Sequence, residues 1–171
     1  VRGDSTSGKS SACFPCAISI GSTWDMDLIN QLGVALGEEA KVKDVDVLLG
    51  PTINIHRHPL GGRHFESFSE DPFLTGKIAT EYVKGVQSQN VAACLKHFIG
   101  NDTEYERHLV SSNIDEKTLR EIYLLPFEMG VKEGNAQVVM SAYNKLNNIY
   151  CSSHKELLID ILKDEWGFDG Y

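Results

Sequence analysis

The run Val91-Ala92-Ala93-Cys94-Leu95-Lys96-His97 decides how the chain is read. Val91 to Leu95 is an unbroken apolar stretch of strand length, without the alternation of a half-exposed strand, so it predicts a strand covered on both faces. A cation and an imidazole follow it directly. Polar groups of that kind at the carboxyl end of a buried strand cost desolvation unless they bind something. The same sequence grammar recurs upstream in Asp46-Val47-Leu48-Leu49-Gly50-Pro51, a short buried strand stopped by Gly-Pro, and downstream in Val138-Val139-Met140-Ser141-Ala142-Tyr143.

Helical periodicity fills the intervals. Ser22-Thr23-Trp24-Asp25 reads as a Ser-x-x-Asp helix entry. Leu28, Leu32, Leu36 and Ala40 then recur at helical spacing, which predicts an amphipathic helix over 24–43. A second helix begins after Pro72, includes Ile78, Tyr82 and Val86, and ends near Gln89. A third starts at Asp115 and runs through Leu119, Ile122, Tyr123 and Phe127, with a kink expected at Pro126. Ser153-x-x-Glu156 reads as a capping box before Leu157, Leu158, Ile161 and Leu162. Trp166 to Gly170 closes that helix and points to a further strand.

Strand–loop–helix units at roughly 45-residue spacing imply parallel strands joined by crossover helices. The polar stretches 50–71, 96–113 and 143–151 each follow a strand. That is the active-site edge of either a (β/α)-barrel or an open doubly wound sheet.

Bulk properties narrow the function. The 171 residues suit one domain, with 42% hydrophobic and 23% charged residues. A formal net charge of −8 disfavours a nucleic-acid partner, whose phosphates call for Lys and Arg. No apolar stretch is long enough to span a membrane as a helix. The opening Val1-Arg2-Gly3 shows no Met and no leader, and reads as the interior of a longer polypeptide. Cys13, Cys16, Cys94 and Cys151 are too few for a disulfide scaffold. The Cys-Phe-Pro-Cys spacing precedes an apolar run, Ala17 to Ile20, and not a helix that would activate a thiol, so bystander thiols are expected.

Several clusters compete as chemistry. Gly3-Asp4-Ser5-Thr6-Ser7-Gly8-Lys9-Ser10 matches the phosphate-cradling P-loop pattern, but no strand feeds it, and Pro15 interrupts the helix it requires. It is read as a solvent-facing loop. His56-x-His58, with His64 nearby and His97 on another strand, has the residue types of a metal site, although Arg57 would sit between two of the ligands. Arg63 and Glu66, in Gly-Gly-Arg-His-Phe-Glu, are spaced so that the carboxylate can orient the guanidinium fork. Lys96 and His97 are candidates by position, and Tyr143 is a similar donor with an aromatic face. Asp102, Glu104, Glu106 and Arg107 read as a solvated or mutually paired loop cluster, and Asn101-Asp102-Thr103 as a poor glycosylation acceptor beside a strand end.

Leu48 to Pro72, Lys96 to Asp102, Leu119 to Glu128, Val139 to Asn147 and Glu165 to Gly170 together resemble family 3 glycoside hydrolases, most closely the β-glucosidases among them. The resemblance covers nearly the whole chain. It implies an α/β fold, a partial (β/α)8 TIM-like barrel truncated at both ends, with 1–171 an internal part of the amino-terminal barrel domain. It implies hydrolysis, with retention, of terminal β-D-glucosyl residues from β-glucosides and cello-oligosaccharides, without a cofactor or metal. Arg63, Lys96 and His97 would hydrogen-bond sugar hydroxyls in the −1 subsite, Met140 and Tyr143 would line it, and Arg2 would lie at its edge. The nucleophilic Asp is expected just beyond Tyr171, so Asp169 is not assigned that role. The acid/base is expected from a second α/β domain. The 171 residues alone are therefore expected to be inactive and prone to aggregate through open strand edges. Two other readings stay open: a metal-dependent barrel hydrolase using His56, His58 and His97, and a carbohydrate-binding homologue without catalytic power.

Overall fold

The computed structural model describes residues 10–171. Its centre is a parallel sheet of β1 (Val47–Leu48), β2 (Ala92–Phe98) and β4 (Val138–Ser141), in the order β1-β2-β4. Each strand lies beside the one before it, so the sheet grows in one direction, as a barrel does. A doubly wound sheet would reverse direction. The growth continues at Tyr171, whose backbone exchanges 3.0 Å hydrogen bonds with Gln137 and Val139 on the free edge of β4. Tyr171 thus sits on the sheet edge toward which the sequence directs a further strand.

β1 does not stop at Gly50-Pro51. Lys96 N–H donates to the Pro51 carbonyl, and Ile53 N–H donates to the Lys96 carbonyl at 2.8 Å, so pairing with β2 resumes through Thr52. Pro51 lacks an N–H, but its carbonyl still serves the ladder. This extension carries Thr52 and Asn54 to the carboxyl end of the sheet.

Helices cover one face. α1 (Ala17–Gly21) occupies the apolar run expected to be non-helical, with Cys16 as its N-cap residue, and Cys13 and Cys16 are exposed free thiols. α2 (Met26–Val42) is capped by Asp25, whose carboxylate accepts from Leu28 N–H at 3.0 Å. Its buried stripe is Ile29, Gly33, Leu36, Gly37 and Ala40; of the expected Leu28, Leu32, Leu36 and Ala40, the last two are buried and Leu32 packs against the core, but Leu28 is 47% exposed and the stripe is centred on the glycines. The glycines explain the shift, because α2 meets α3 (Pro72–Gln87) backbone to backbone. A Cβ on Gly85 would lie 2.3 Å from the Asn30 carbonyl oxygen, and one on Gly33 would lie 2.7 Å from that of Tyr82. Hydrophobicity alone does not reveal a contact made by residues without side chains.

β3 (Ser111–Ser112) belongs to a small second sheet with β5 (Lys145–Leu146) and β6 (Ile149–Tyr150). The β5–β6 hairpin turns on Asn147 and Asn148, both at positive φ (48° and 72°), the conformation a two-residue turn requires. Between β3 and β4 along the chain, α4 (Glu116–Thr118) passes into a π-type helical stretch, Leu119–Leu124, and then α5 (Leu125–Lys132). The irregularity expected at Pro126 takes the form of these wider turns just before it. The last helix, Glu156–Glu165, has no Ser153 cap, because Ser153 Oγ instead donates to the Tyr150 carbonyl at 3.3 Å. Phe98 is fully buried against Phe127 and Trp166, with ring centroids 5.1 and 6.0 Å away. No helix among the described residues is long and apolar enough to cross a membrane.

Candidate functional site

The site forms at the carboxyl ends of β1 and β2. The loop after β1 crosses the loop after β2 closely enough that Gly62 sits at φ +84°, with the Glu104 side chain 3.0 Å from where its Cβ would be. That crossing returns the chain to Arg63 and the single 3-10 turn His64–Glu66. The turn brings Glu66 back under Arg63. Arg63 Nε donates to Glu66 Oε1 at 2.9 Å and Nη2 to Oε2 at 2.8 Å, while Thr52 Oγ1 donates to the same carboxylate at 3.3 Å. A bidentate charge-assisted pair fixes the plane of the fork. The Arg63 hydrogen bonds hold the Glu66 carboxyl below its usual range, and the same bonds raise Arg63.

The remaining guanidinium nitrogen, Nη1, lies 3.3 Å from His97 Nε2. His97 is buried, and its pKa falls to about 4, through burial first and then the neighbouring Arg63 and Lys96 cations. It is therefore neutral at physiological pH. Lys96 is also lowered by burial, with Glu66 opposing the shift. Among the described residues the Lys96 ammonium has no hydrogen-bond partner, and Glu66 is the carboxylate whose charge acts on it.

Neighbouring residues on a regular strand point to opposite faces. Here a bulge intervenes: Lys96 pairs with Met140 and Phe98 with Ser141, leaving His97 unpaired between them. Lys96 and His97 can thus serve one site. Met140, half-buried, is the register partner of Lys96 and lies beside it on β4. Tyr143 lies just beyond β4, 54% exposed, with its ring 4.6 Å from that of His108 and 5.2 Å from the Arg107 guanidinium.

Arg107 is the residue the sequence reading missed. It is paired with Glu104 at 2.7 Å, as a surface cluster would be, yet its charge reaches His97 and its guanidinium covers Tyr143. Only its position after a buried strand signalled this. Asp102 likewise leaves the solvated cluster: its Oδ1 is buried without a hydrogen-bond partner among the described residues, and burial raises its pKa. Asn101 of the sequon is half-buried and faces Glu104. Arg2 and the Gly3–Lys9 part of the P-loop match lie outside the described residues.

The histidines do not converge as a ligand set. His56 Nε2 donates to the His64 carbonyl at 2.9 Å, His64 Nε2 donates to the His58 carbonyl, and the Leu60 N–H donates to His58 Nδ1. His97 has both ring nitrogens engaged, by Asn54 and Arg63. Among the described residues no group of three or more His, Cys, Asp or Glu is arranged to hold a metal ion.

The glycosyl hydrolase family 3 N terminal domain matches residues 1–171. The chain belongs to glycoside hydrolase family 3. A β-glucosidase of Rhizobium radiobacter is 56% identical over 98% of this family 3 chain, and thermostable β-glucosidase B of Acetivibrio thermocellus is 52% identical over 93%. The chain spans only 20% and 21% of those two relatives' lengths. The structure of β-glucosidase 3B from Thermotoga neapolitana in complex with α-D-glucose superposes with a TM-score of 0.92 at 52% identity, over 93% of this chain and 22% of that one. The β1-β2-β4 sheet with its outer helices is thus an arc of the family's (β/α)8 barrel.

Proposed function

We propose that this family 3 chain, as an internal part of the amino-terminal barrel domain, supplies the sugar-holding side of the −1 subsite of a retaining β-glucosidase. The substrates are terminal non-reducing β-D-glucosyl residues of β-glucosides and cello-oligosaccharides. The observation that carries the reading is the convergence of Arg63, Lys96 and His97 at one strand end, with Arg63 locked in plane by Glu66. A neutral polyol offers no charge to attract, so its recognition depends on fixed, convergent hydrogen bonds. Cationic donors give the strongest of these. Met140 and Tyr143 add apolar and aromatic surface, and Arg107 adds a further donor over Tyr143. Arg2 is proposed at the rim.

A retaining glycosidase uses two carboxylates about 5–5.5 Å apart, as nucleophile and acid/base. Glu66 is engaged by Arg63 and Thr52, and is assigned neither role. The present residues act by holding the ring. Donors that tighten on the hydroxyls as the ring flattens toward an oxocarbenium ion lower the barrier, because they bind the transition state better than the ground state. The rest of the barrel and a second α/β domain complete the site. Hydrolysis of an aryl β-glucoside by the complete polypeptide tests the reading. Activity that falls in Lys96→Ala and Arg63→Ala supports it. A complete polypeptide inert toward β-glucosides, or one inactivated by metal chelation, would overturn it.

A further inference from the structure

Asn54 lies on the extension of β1, buried, and grips His97 three times. Its Nδ2 donates to the His97 carbonyl at 2.9 Å, its Oδ1 accepts from the His97 backbone N–H at 2.9 Å, and the same oxygen faces ring Nδ1 at 3.3 Å. Across the ring, Arg63 Nη1 is 3.3 Å from Nε2. Two of these partners have no choice of polarity. A backbone carbonyl only accepts, so the amide nitrogen must face it and Oδ1 must face the ring. A guanidinium only donates, so Nε2 must accept. The ring proton then belongs on Nδ1, aimed at Asn54 Oδ1.

We propose that Asn54 is a positioning residue: it holds His97 as the Nδ1–H tautomer and so keeps Nε2 as the acceptor that fixes the Arg63 guanidinium on the side opposite Glu66. The consequence for kcat/KM rests on the sugar-site reading above; the tautomer does not. An imidazole nitrogen has one in-plane lone pair, and Arg63 Nη1 fills that of Nε2. His97 thus steadies one side of the fork as Glu66 steadies the other. An Nε2–H tautomer would instead point a donor at donors.

The test uses ring-15N-labelled histidine in the complete polypeptide without substrate, with the His97 signal assigned by its loss in His97→Asn. The wild type is expected to show a protonated Nδ1 and an acceptor Nε2. Asn54→Leu, similar in size but without partners, is expected to lose the Nδ1–H preference and about tenfold in kcat/KM on an aryl β-glucoside. Asn54→Asp keeps the acceptor and is expected to keep Nδ1–H. A merely space-filling Asn54 predicts the reverse order of tolerance. An Nε2–H signal in the wild type, or an unchanged Nδ1–H signal in Asn54→Leu, would overturn the proposal. Should Asn54→Leu fail to fold, Nε2–H in Asn54→Asp would overturn it equally. A wild type that is Nδ1–H yet inert toward β-glucosides would sink the functional reading and leave the tautomer assignment standing.

Discussion

Two of the arginine–glutamate pairs among the described residues look alike on paper and sit in different worlds. Arg63 and Glu66 are 24% and 27% exposed at the inner strand end, joined by two bonds of 2.9 and 2.8 Å and flanked by Thr52 and His97. Arg120 and Glu165 are 40% and 44% exposed on the outer helices, joined at 2.9 and 3.1 Å, with Glu116 at 3.4 Å. In both, hydrogen bonds donated to the carboxylate raise the arginine's pKa. Bond lengths hardly separate them, but Arg63 sets two nitrogens on the two carboxylate oxygens, whereas one Arg120 nitrogen serves both. Their further partners differ as well: buried His97 gives the inner fork a direction, whereas the outer arginine turns to the exposed Glu116 carboxylate. An ion pair becomes a binding element when its free donor is aimed.

Removing each pair tests that distinction. Arg63→Ala in the complete polypeptide is expected to lower kcat/KM on an aryl β-glucoside roughly 10- to 100-fold, the range for hydrogen bonds to charged groups. A loss under twofold would place Arg63 outside the sugar site. Glu66→Gln keeps the shape and removes the charge, and a loss of roughly tenfold is expected from the weakened fork. Because Glu66 opposes the lowering of the Lys96 pKa, its neutralisation should also move any basic limb of the pH profile to lower pH. A limb that moves upward contradicts the electrostatic link.

Acid provides a subtler measure. His97 has its folded pKa depressed to about 4, below the unfolded value of 6.5. Between those values the unfolded chain binds a proton that the folded chain does not, so stability falls as pH drops from about 6.5 toward 4. Glu66, also depressed, adds stability above the ordinary carboxylate value that is lost only at lower pH. Melting temperatures of wild type and His97→Asn should diverge least near pH 4 and most above 6.5. A constant gap across that window would remove His97 from the account. The smallest effect belongs to the outer pair. Arg120→Ala should change stability by about 0–1 kcal/mol, less in high salt, and leave kcat/KM unchanged.

Much of this was legible in the residues. Val91 to Leu95 announced a doubly covered strand, and the Lys96-His97 that follows it marked the candidate site. Arg63 and Glu66 announced their own pairing by spacing. The misses share one cause: they depend on a partner distant in sequence. The glycine stripe of α2 has meaning only against Gly85. Arg107 reads as a surface charge until Tyr143 and His97 are placed beside it. Asn54 has no motif value until its amide meets His97. Local errors, such as the supposed Ser153 cap, arose where a hydroxyl had a competing carbonyl within reach.

The bulge at His97 can be understood as a change of parity. Leu95 packs its side chain against Gly130 of α5, and Phe98 packs on Phe127 of the same helix. On a regular strand, residues three apart face opposite ways. With one extra residue between them both face the helix layer, and the two intervening side chains turn toward the site. Flattening the bulge with every residue kept would therefore do more than straighten a strand. It would invert the remainder of the strand, sending Phe98 into the polar cleft and detaching the end of the core. The chain's most polar point and its most deeply packed aromatic are held apart by a count of one.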